Sequence, residues 1–196
     1  SGTQDKFHFI HQEAPGDATV TLKIASLEGG IGGLQLGAMF RESLAPDARC
    51  ATVNLYRTTL STSARFQFRE APGGQVRLSG ESWSGVEASD LWLRIARLGD
   101  EFTGYASADG IAWRELGRKA LAGFSGTCRA GVFAGGPDLV GDGSYVALHA
   151  EVREVTLTVE VPGGLRRPGD ANGDGDLDLS DAIWFLDHLF VGTQTK

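Results

Sequence analysis

The sequence is poor in basic clusters and in long apolar segments, and both shortages exclude classes of function. It has 18 Lys and Arg against 25 Asp and Glu, and no basic run is longer than two residues. A net charge of −7 argues against nucleic acid and anionic membranes as partners, since both attract clustered positive charge. The longest apolar stretch, Ala182 to Val191, is too short to span a bilayer and contains Asp187 and His188. We therefore expect no nucleic-acid partner and no membrane insertion.

Cysteine is scarce as well, because Cys50 and Cys128 are the only two in the chain, and each opens a predicted strand. Oxidised pairs persist in extracellular compartments, so a Cys50–Cys128 disulfide is the interpretation that we favour for a secreted protein. The alternative is two separate buried thiols, which behave as small apolar residues. Sequence spacing does not decide between them, because a disulfide requires specific geometry between its two residues.

Glycine is abundant, at 28 residues, and polar and apolar side chains alternate between Phe7 and Val161. Alternation with period two is typical of strands that bury one face. It is clearest in the segments Ala18–Leu27, Ala64–Glu70, Leu91–Leu98, Glu101–Ser107 and Val146–Val161. Turn residues separate the segments, and the sequences at 98–100 and 108–110 are hairpin signals. Roughly ten short strands without helical periodicity predict an all-β, two-sheet antiparallel sandwich.

Two stretches carry a resemblance to a known family. GAMFRESLAPDARCATV, from Gly37 to Val53, and DLWLRIARLGDEFTGYASADGIAWRELG, from Asp90 to Gly117, resemble concanavalin/laminin-G-like domains of the DUF1349 type. The resemblance covers residues 7–161 and implies a jelly-roll sandwich. It implies little about function, because this fold hosts lectins, glycosidases and adhesion modules.

Motifs of a catalytic site are missing. Sandwich glycosidases of the laminarinase kind need two carboxylates about 5–5.5 Å apart. Glu87 and Asp90 have the wrong spacing for this, and so do Glu151 and Glu154, because residues on one strand face lie two apart. The four histidines are scattered, and no nucleophile elbow, P-loop or zinc cluster occurs. We therefore predict that the protein is not an enzyme.

Tryptophan rings are the candidate surfaces for stacking on a sugar. Trp92 and Trp113 lie in segments with apolar alternation, so we predict that both belong to the core. Trp83 lies in the polar segment SGESWSGVEASD, and we predict that it is exposed. Trp83 is therefore the candidate sugar contact that the sequence offers in its strand-rich part.

A segment rich in Pro and Gly, Val161 to Asp170, precedes an acidic loop. We divide the chain into a sandwich (1–161), a linker (162–169) and a loop-helix unit (170–196). The acidic loop matches the twelve-position EF-hand calcium loop, with Gly175 at the sharp turn. Its ligand positions are Asp170, Asn172, Asp174, Asp176, Asp178 and Asp181. Hard oxygen donors without His or Cys favour calcium over zinc or copper. The alternative interpretation is an acidic turn that caps a helix.

The segment LSDAIWFLDHLF after the loop resembles the helix of a type I dockerin repeat, which normally occurs as two packed copies. One copy is present here. The predicted helix, Ser180 to Val191, has apolar side chains around most of its circumference, so it requires burial on more than one side. These side chains are Ile183, Trp184, Phe185, Leu186, Leu189 and Phe190. The helix could pack on its own sandwich, dock on another molecule, or belong with a second repeat that this chain lacks.

These features predict a secreted, non-catalytic structural or adhesion module. In this interpretation the calcium-loaded loop and helix dock on a neighbouring subunit or on another extracellular protein, and repeated docking builds a filament. The alternative is a carbohydrate-binding module of an extracellular protein that handles polysaccharide. A third and weaker hypothesis is a dockerin that attaches the chain to a cohesin-like scaffold.

Overall fold

The computed structural model describes residues 7–29, 33–124, 126–136 and 148–159. The chain divides into two units, 1–159 and 160–196, and every described residue belongs to the first. The predicted calcium ligands from Asp170 to Asp181 and the predicted docking helix from Ser180 to Val191 therefore lie outside the described residues. Within the described part of the chain, no helix has the length and apolarity that crossing a membrane requires.

Twelve strands form in the described ranges, and the paired strands run antiparallel. They are β1 (His8–Pro15), β2 (Ala18–Gly29), β3 (Leu34–Arg41), β4 (Cys50–Arg57), β5 (Thr62–Arg69), β6 (Arg77–Leu78), β7 (Trp83–Ser84), β8 (Leu91–Leu98), β9 (Glu101–Ser107), β10 (Arg114–Ala120), β11 (Thr127–Gly135) and β12 (Leu148–Val159). Sheet A has seven strands in the order β1-β11-β3-β4-β5-β6, with β7 also paired to β5. Sheet B has five strands in the order β10-β9-β8-β2-β12. Within the described residues, the predicted all-β architecture with two antiparallel sheets is confirmed.

The core lies between the two sheets because strand residues alternate between their faces. In β8, Leu93 and Ile95 are fully buried, whereas Trp92 and Arg94 are partly exposed on the opposite face. Inward residues from both sheets complete one core, including Val20, Phe40, Val53, Phe66 and Phe102. Burying each such large side chain stabilises the fold by about 1.5–3 kcal/mol, so the alternation that the sequence shows also supplies the driving force.

Close packing between the sheets explains Gly104 of β9. A Cβ atom at this position would lie 2.5 Å from Cδ2 of the Phe66 ring on the opposite sheet. Ile95 pairs with Gly104 and points into the core, so Gly104 faces inward as well. The missing side chain therefore makes room for a phenylalanine at the centre of the core.

The two cysteines lie on opposite faces of sheet A, and no disulfide joins them. Cys50 of β4 packs with Met39 and Phe133 on the outer side, whereas Cys128 of β11 belongs to the main core. The disulfide that we favoured from the sequence is therefore not formed, because side chains on opposite faces of a sheet point apart. The two cysteines are separate buried thiols, which was the alternative interpretation. Burial raises the pKa of the Cys128 thiol.

Candidate functional site

The outer face of sheet A, which is turned away from the core, carries a group of polar side chains on β3, β4 and β5. We call this group the polar patch; it consists of Gln35, Asn54, Tyr56, Ser63 and Arg65. Strand register places Asn54 directly between Gly37 and Arg65. It places Tyr56 between Gln35 and Ser63 in the next row. Directly opposed residues have Cβ atoms about 4.5–5.5 Å apart, so these side chains lie within reach of one another.

Asn54 is the centre of the polar patch, and its side chain is 0% exposed. The amide Nδ2 donates to Gln35 Oε1 at 3.3 Å and to the Leu55 carbonyl at 3.5 Å. The other atom, Oδ1, is buried without a hydrogen-bond partner. An unsatisfied buried acceptor costs about 1–3 kcal/mol.

Gly37 allows the backbones of β3 and β4 to approach each other beneath Asn54. A Cβ atom at residue 37 would lie 2.6 Å from the Asn54 Cα and 2.9 Å from its Cβ. It would also collide with the Val53 carbonyl oxygen. No other residue type fits in this row without moving β4, so the glycine fixes the position of the Asn54 side chain.

Arg65 forms one wall of the polar patch. Its guanidinium carbon lies 3.9 Å from the centroid of the Tyr56 ring, a stacked cation–π contact. Its Nε donates to Ser63 Oγ at 2.8 Å. These two contacts orient the guanidinium plane, while no described residue accepts a hydrogen bond from its two terminal nitrogens or forms an ion pair with it. Arg65 therefore presents oriented donors at the surface.

Arginine recurs at the outward strand positions of sheet A. Four arginines point outward in its described strands: Arg41, Arg65, Arg69 and Arg129. The one outward carboxylate among the described strand residues of this sheet is Glu13, which pairs with Arg129 at 3.0 Å. Arg41 and Arg69 are buried and donate to the carbonyls of Ala45 and Ala48, so they serve the fold rather than charge the surface.

The structure places the described tryptophans differently from the sequence predictions. Trp92 and Trp113, predicted as core residues, are half-buried, and Trp92 lies on the outer face of sheet B beside Lys23. Trp113 is stacked by the Arg94 guanidinium, 3.8 Å from the ring centroid. Trp83, predicted as exposed, is half-buried and packs against the main core, because it pairs with the inward-facing strand position of Ala64. A sugar contact at Trp83 stays a prediction.

A cleft of 620 Å³ lies between the two sheets, at the edge formed by β1 of sheet A and β12 of sheet B. Its walls are mainly apolar, with Val132 and Ala134 from sheet A facing Ala150, Val152 and Leu157 from sheet B. Recognition of a polar ligand requires several placed hydrogen-bonding groups, and these walls offer few of them. The polar patch is therefore a better candidate site for a polar ligand than this cleft.

Sequence reasoning missed every residue of the polar patch. Asn54 and Arg65 lie in segments that alternate as ordinary strands, where an outward polar residue is the expected solvent-facing type. The available signal was the choice of residue: Asn is depleted in strands, so an Asn within CATVNLY is unusual. Among the described residues, no three His, Cys, Asp or Glu side chains gather as a metal site.

No protein-family model matches the chain, and no curated protein sequence matches it. Solved structures do resemble it. A functionally unknown protein from Saccharomyces cerevisiae is 19% identical, with a TM-score of 0.63 over 80% of this chain and 77% of that chain. A GH43 protein from Bacillus licheniformis is 17% identical, with a TM-score of 0.56 over 74% of this chain and 28% of that chain. An engineered GH43 glycoside hydrolase is 19% identical, with a TM-score of 0.50 over 74% of this chain and 29% of that chain.

At these identities the likeness shows a common β-sandwich fold alone. The matched region also makes up less than a third of each GH43 chain. The activity of those proteins is therefore not transferred to this chain by the comparison.

Proposed function

We propose that this chain is a non-catalytic carbohydrate-binding module of an extracellular protein, and that the glycan lies on the polar patch of sheet A. The observation that carries the proposal is that amide, phenol and guanidinium groups stand in adjacent rows of one sheet face, with Gln35, Tyr56 and Arg65 partly exposed. The Gln35 amide and the Arg65 guanidinium supply donors for the oxygens of a sugar. Placed polar groups of this kind give a binding site its orientation and specificity.

The structural neighbours support this proposal at the level of the fold. One neighbour is described as a GH43 glycoside hydrolase with endo-xylanase and exo-arabinofuranosidase activity, so a sandwich of this shape accompanies carbohydrate chemistry there. We propose that the sandwich of this chain is likewise a concanavalin/laminin-G-like jelly roll that accompanies polysaccharide-handling machinery.

We propose a binding role rather than a catalytic one because of the chemistry of the described face. Glycoside hydrolysis uses a pair of carboxylates across the bond that is cleaved. Glu13, the one outward carboxylate in the described strands of sheet A, lies on the edge strand β1 and is held by Arg129. The polar patch itself consists of amide, hydroxyl, phenol and guanidinium groups, which bind but do not supply this acid–base pair.

The test is a binding measurement on the full chain with a panel of neutral and acidic oligosaccharides. We expect binding to at least one class, and loss of that binding in Asn54→Val, because this variant removes the hydrogen bond that orients the Gln35 amide. The matched control is Thr103→Val, because Thr103 is a buried polar residue on the outer face of sheet B. Absence of binding across the panel, or equal loss in both variants, would refute the proposal.

We further propose, from the sequence alone, that residues 170–181 bind one Ca²⁺ ion per chain. Carboxylates and one amide at alternate positions form a donor set that suits this hard cation. The prediction that the calcium-loaded tail docks on neighbouring subunits and builds a filament follows from it as a second candidate function. Light scattering and negative-stain imaging with calcium and then with a chelator test it, with Asp174→Ala as the calcium-deficient control. A monomer under both conditions would remove the filament hypothesis.

A further inference from the structure

We propose that β1 is a self-association edge: β1 of one chain pairs antiparallel with β1 of a second copy, and the two copies form a closed dimer. This goes beyond the proposed function, because it assigns a protein interface and does not depend on a glycan. Three features of the described structure support it: the missing protection of this sheet edge, the exposed isoleucine on it, and the apolar cleft beside it.

The other three sheet edges in the described part of the chain carry features that discourage pairing with a further strand. Sheet A ends on its far side in β6 and β7, which have two residues each. In sheet B, β10 shifts register between Glu115 and Gly117 and carries four charged side chains. β12 shifts register twice, and Glu154 within it has a φ of 52°. Short edge strands, bulges and charges are the means by which proteins block the pairing of sheet edges.

The edge strand β1 is long and regular by comparison. Its eight residues pair with β11 in unbroken register. Its one acidic or basic side chain, apart from the histidines, is Glu13, which is held by Arg129 at 3.0 Å. Pro15, which lacks an N–H group, lies at the end of the strand and leaves the middle free. No described strand pairs with the other side of β1, so within the described residues it presents unpaired backbone groups that another strand can use.

Ile10 lies on this edge strand and is 80% exposed. It has the same strand parity as Ala14, a residue of the main core, so Ile10 faces the side of sheet A that sheet B covers elsewhere. Ile10 lines the apolar cleft together with Val155 and Leu157 of β12, and Val155 is itself 50% exposed. Water therefore contacts apolar side chains on the core side of the sheet, and a second chain at this edge would bury them.

A second copy of the chain is the occupant that the sequence of β1 fits. Two copies continue one antiparallel sheet when a two-fold axis runs perpendicular to it, and opposed residues must then lie on the same face. With the axis at Ile10, this residue opposes the partner's Ile10. Phe9 then opposes the partner's His11 on the outer face. The pairing brings apolar and aromatic side chains together and opposes no like charges, since Glu13 lies away from the axis in each copy.

The same axis also brings the two apolar clefts together. Each cleft opens at the edge of the sandwich between β1 and β12, so the clefts of two copies joined through β1 face each other. Their walls extend the contact beyond the paired strands, which helps to reach the roughly 1,200–2,000 Å² that a stable interface buries. Because both copies use the same surface, the association closes at two chains and leaves no β1 edge for a third. The dimer therefore differs from the filament proposed for the calcium-loaded tail.

Size-exclusion chromatography with light scattering tests the dimer, using the full chain and a calcium chelator that removes any docking through the calcium loop. We expect a mass of twice that of one chain, with dissociation on dilution. Ile10→Lys should raise the dissociation constant roughly tenfold or more, because a charge replaces the central apolar pair in both copies. Ile111→Lys is the matched control, since Ile111 is 84% exposed and lies between β9 and β10. It should leave the dissociation constant unchanged.

Cross-linking tests the register of the two strands. Ile10→Cys should form a disulfide between two copies under mild oxidation, because opposed Cβ atoms lie about 4.5–5.5 Å apart. Gln12→Cys should not, because the pairing offsets its two copies by about 13 Å along the strands. The native cysteines are buried and do not compete.

A monomer at every protein concentration would overturn the proposal, and so would a dimer that Ile10→Lys leaves intact. Cross-linking through Gln12→Cys in place of Ile10→Cys would refute the contact at Ile10. Circular dichroism verifies that each variant is folded, which is expected because the substituted side chains are exposed.

Discussion

Replacing Asn54 by valine should leave the protein as stable as before or make it more stable. In the native protein, the buried Oδ1 without a partner costs about 1–3 kcal/mol. Against this stand the two Nδ2 hydrogen bonds, which are long at 3.3 and 3.5 Å and so contribute at the low end, about 0.5 kcal/mol each. Valine removes the orphan acceptor, loses both bonds and suits a strand. The expected change in the free energy of unfolding is a gain of about 0–2 kcal/mol.

This sign is the informative part of the prediction, because most substitutions of buried residues destabilise by about 1 kcal/mol. Urea unfolding followed by tryptophan fluorescence measures the change, and a thermal scan should show a rise of roughly 2–4 °C for each kcal/mol gained. Thr103→Val is the control, because it measures how a buried valine introduced on sheet B changes the free energy of unfolding. A loss of more than about 1 kcal/mol in Asn54→Val would show that the two long hydrogen bonds of the amide outweigh the cost of its orphan acceptor, and the reasoning would be refuted.

Three further predictions test other parts of the structure. Gly104→Ala should lower the free energy of unfolding by about 1–3 kcal/mol, because the added methyl group overpacks against Phe66. Adding Phe66→Leu to this variant should recover part of the loss, and additive losses would contradict the explanation. Hydrogen bonds from two backbone amides lower the pKa of Asp109 in the folded protein. The carboxylate therefore stabilises the fold above its unfolded pKa of about 4. This contribution is lost as the pH falls through the lower folded pKa. Asp109→Asn should therefore flatten the dependence of the unfolding midpoint between roughly pH 5 and 3, and an unchanged slope would refute the assignment. Cys50 and Cys128 should resist iodoacetamide in the native protein and both react in urea without reductant; a disulfide would leave both unlabelled.

The sandwich could be predicted because the alternation of polar and apolar residues shows which side chains are buried, and this burial drives folding. Leu91–Leu98 and Glu101–Ser107 were predicted as strands with the bounds that β8 and β9 have, and the turn between them carries Gly99 at a φ of 59°. β10 was not among the predicted segments. Its register shifts between Glu115 and Gly117, and such a bulge breaks the period of two on which the prediction depends.

Trp92 shows how the same alternation was misread. In LWLRIARL it occupies the opposite parity from Leu93 and Ile95, which places it on the outer face with Arg94. Its apolar character led to the core prediction, although position in the strand decides the face. The turn that contains Gly110 then packs on the indole, since a Cβ there would lie 2.8 Å from the ring. A large aromatic residue can therefore be half-buried without belonging to the core.

The polar patch could not be predicted because it depends on register. Gln35, Asn54 and Arg65 are separated by 19 and then by 11 positions in the sequence, and they meet only because β3, β4 and β5 pair in adjacent rows. A shift of one residue in either pairing would turn one member to the other face. Motif searches along the chain examine neighbours in sequence, so a site that consists of one or two residues from each strand escapes them.

The placement of the aromatic rings also decides what kind of recognition this face can support. Arg65 covers one face of Tyr56, and on sheet B Arg94 covers Trp113 and a turn covers Trp92. Stacking of a sugar ring needs an open aromatic face, and each of these contacts leaves at most one face of its ring for a sugar. Discrimination between ligands then falls to hydrogen bonds and charge. A site of this kind rejects a ligand that lacks the matching group, because its own polar atoms are left unpaired.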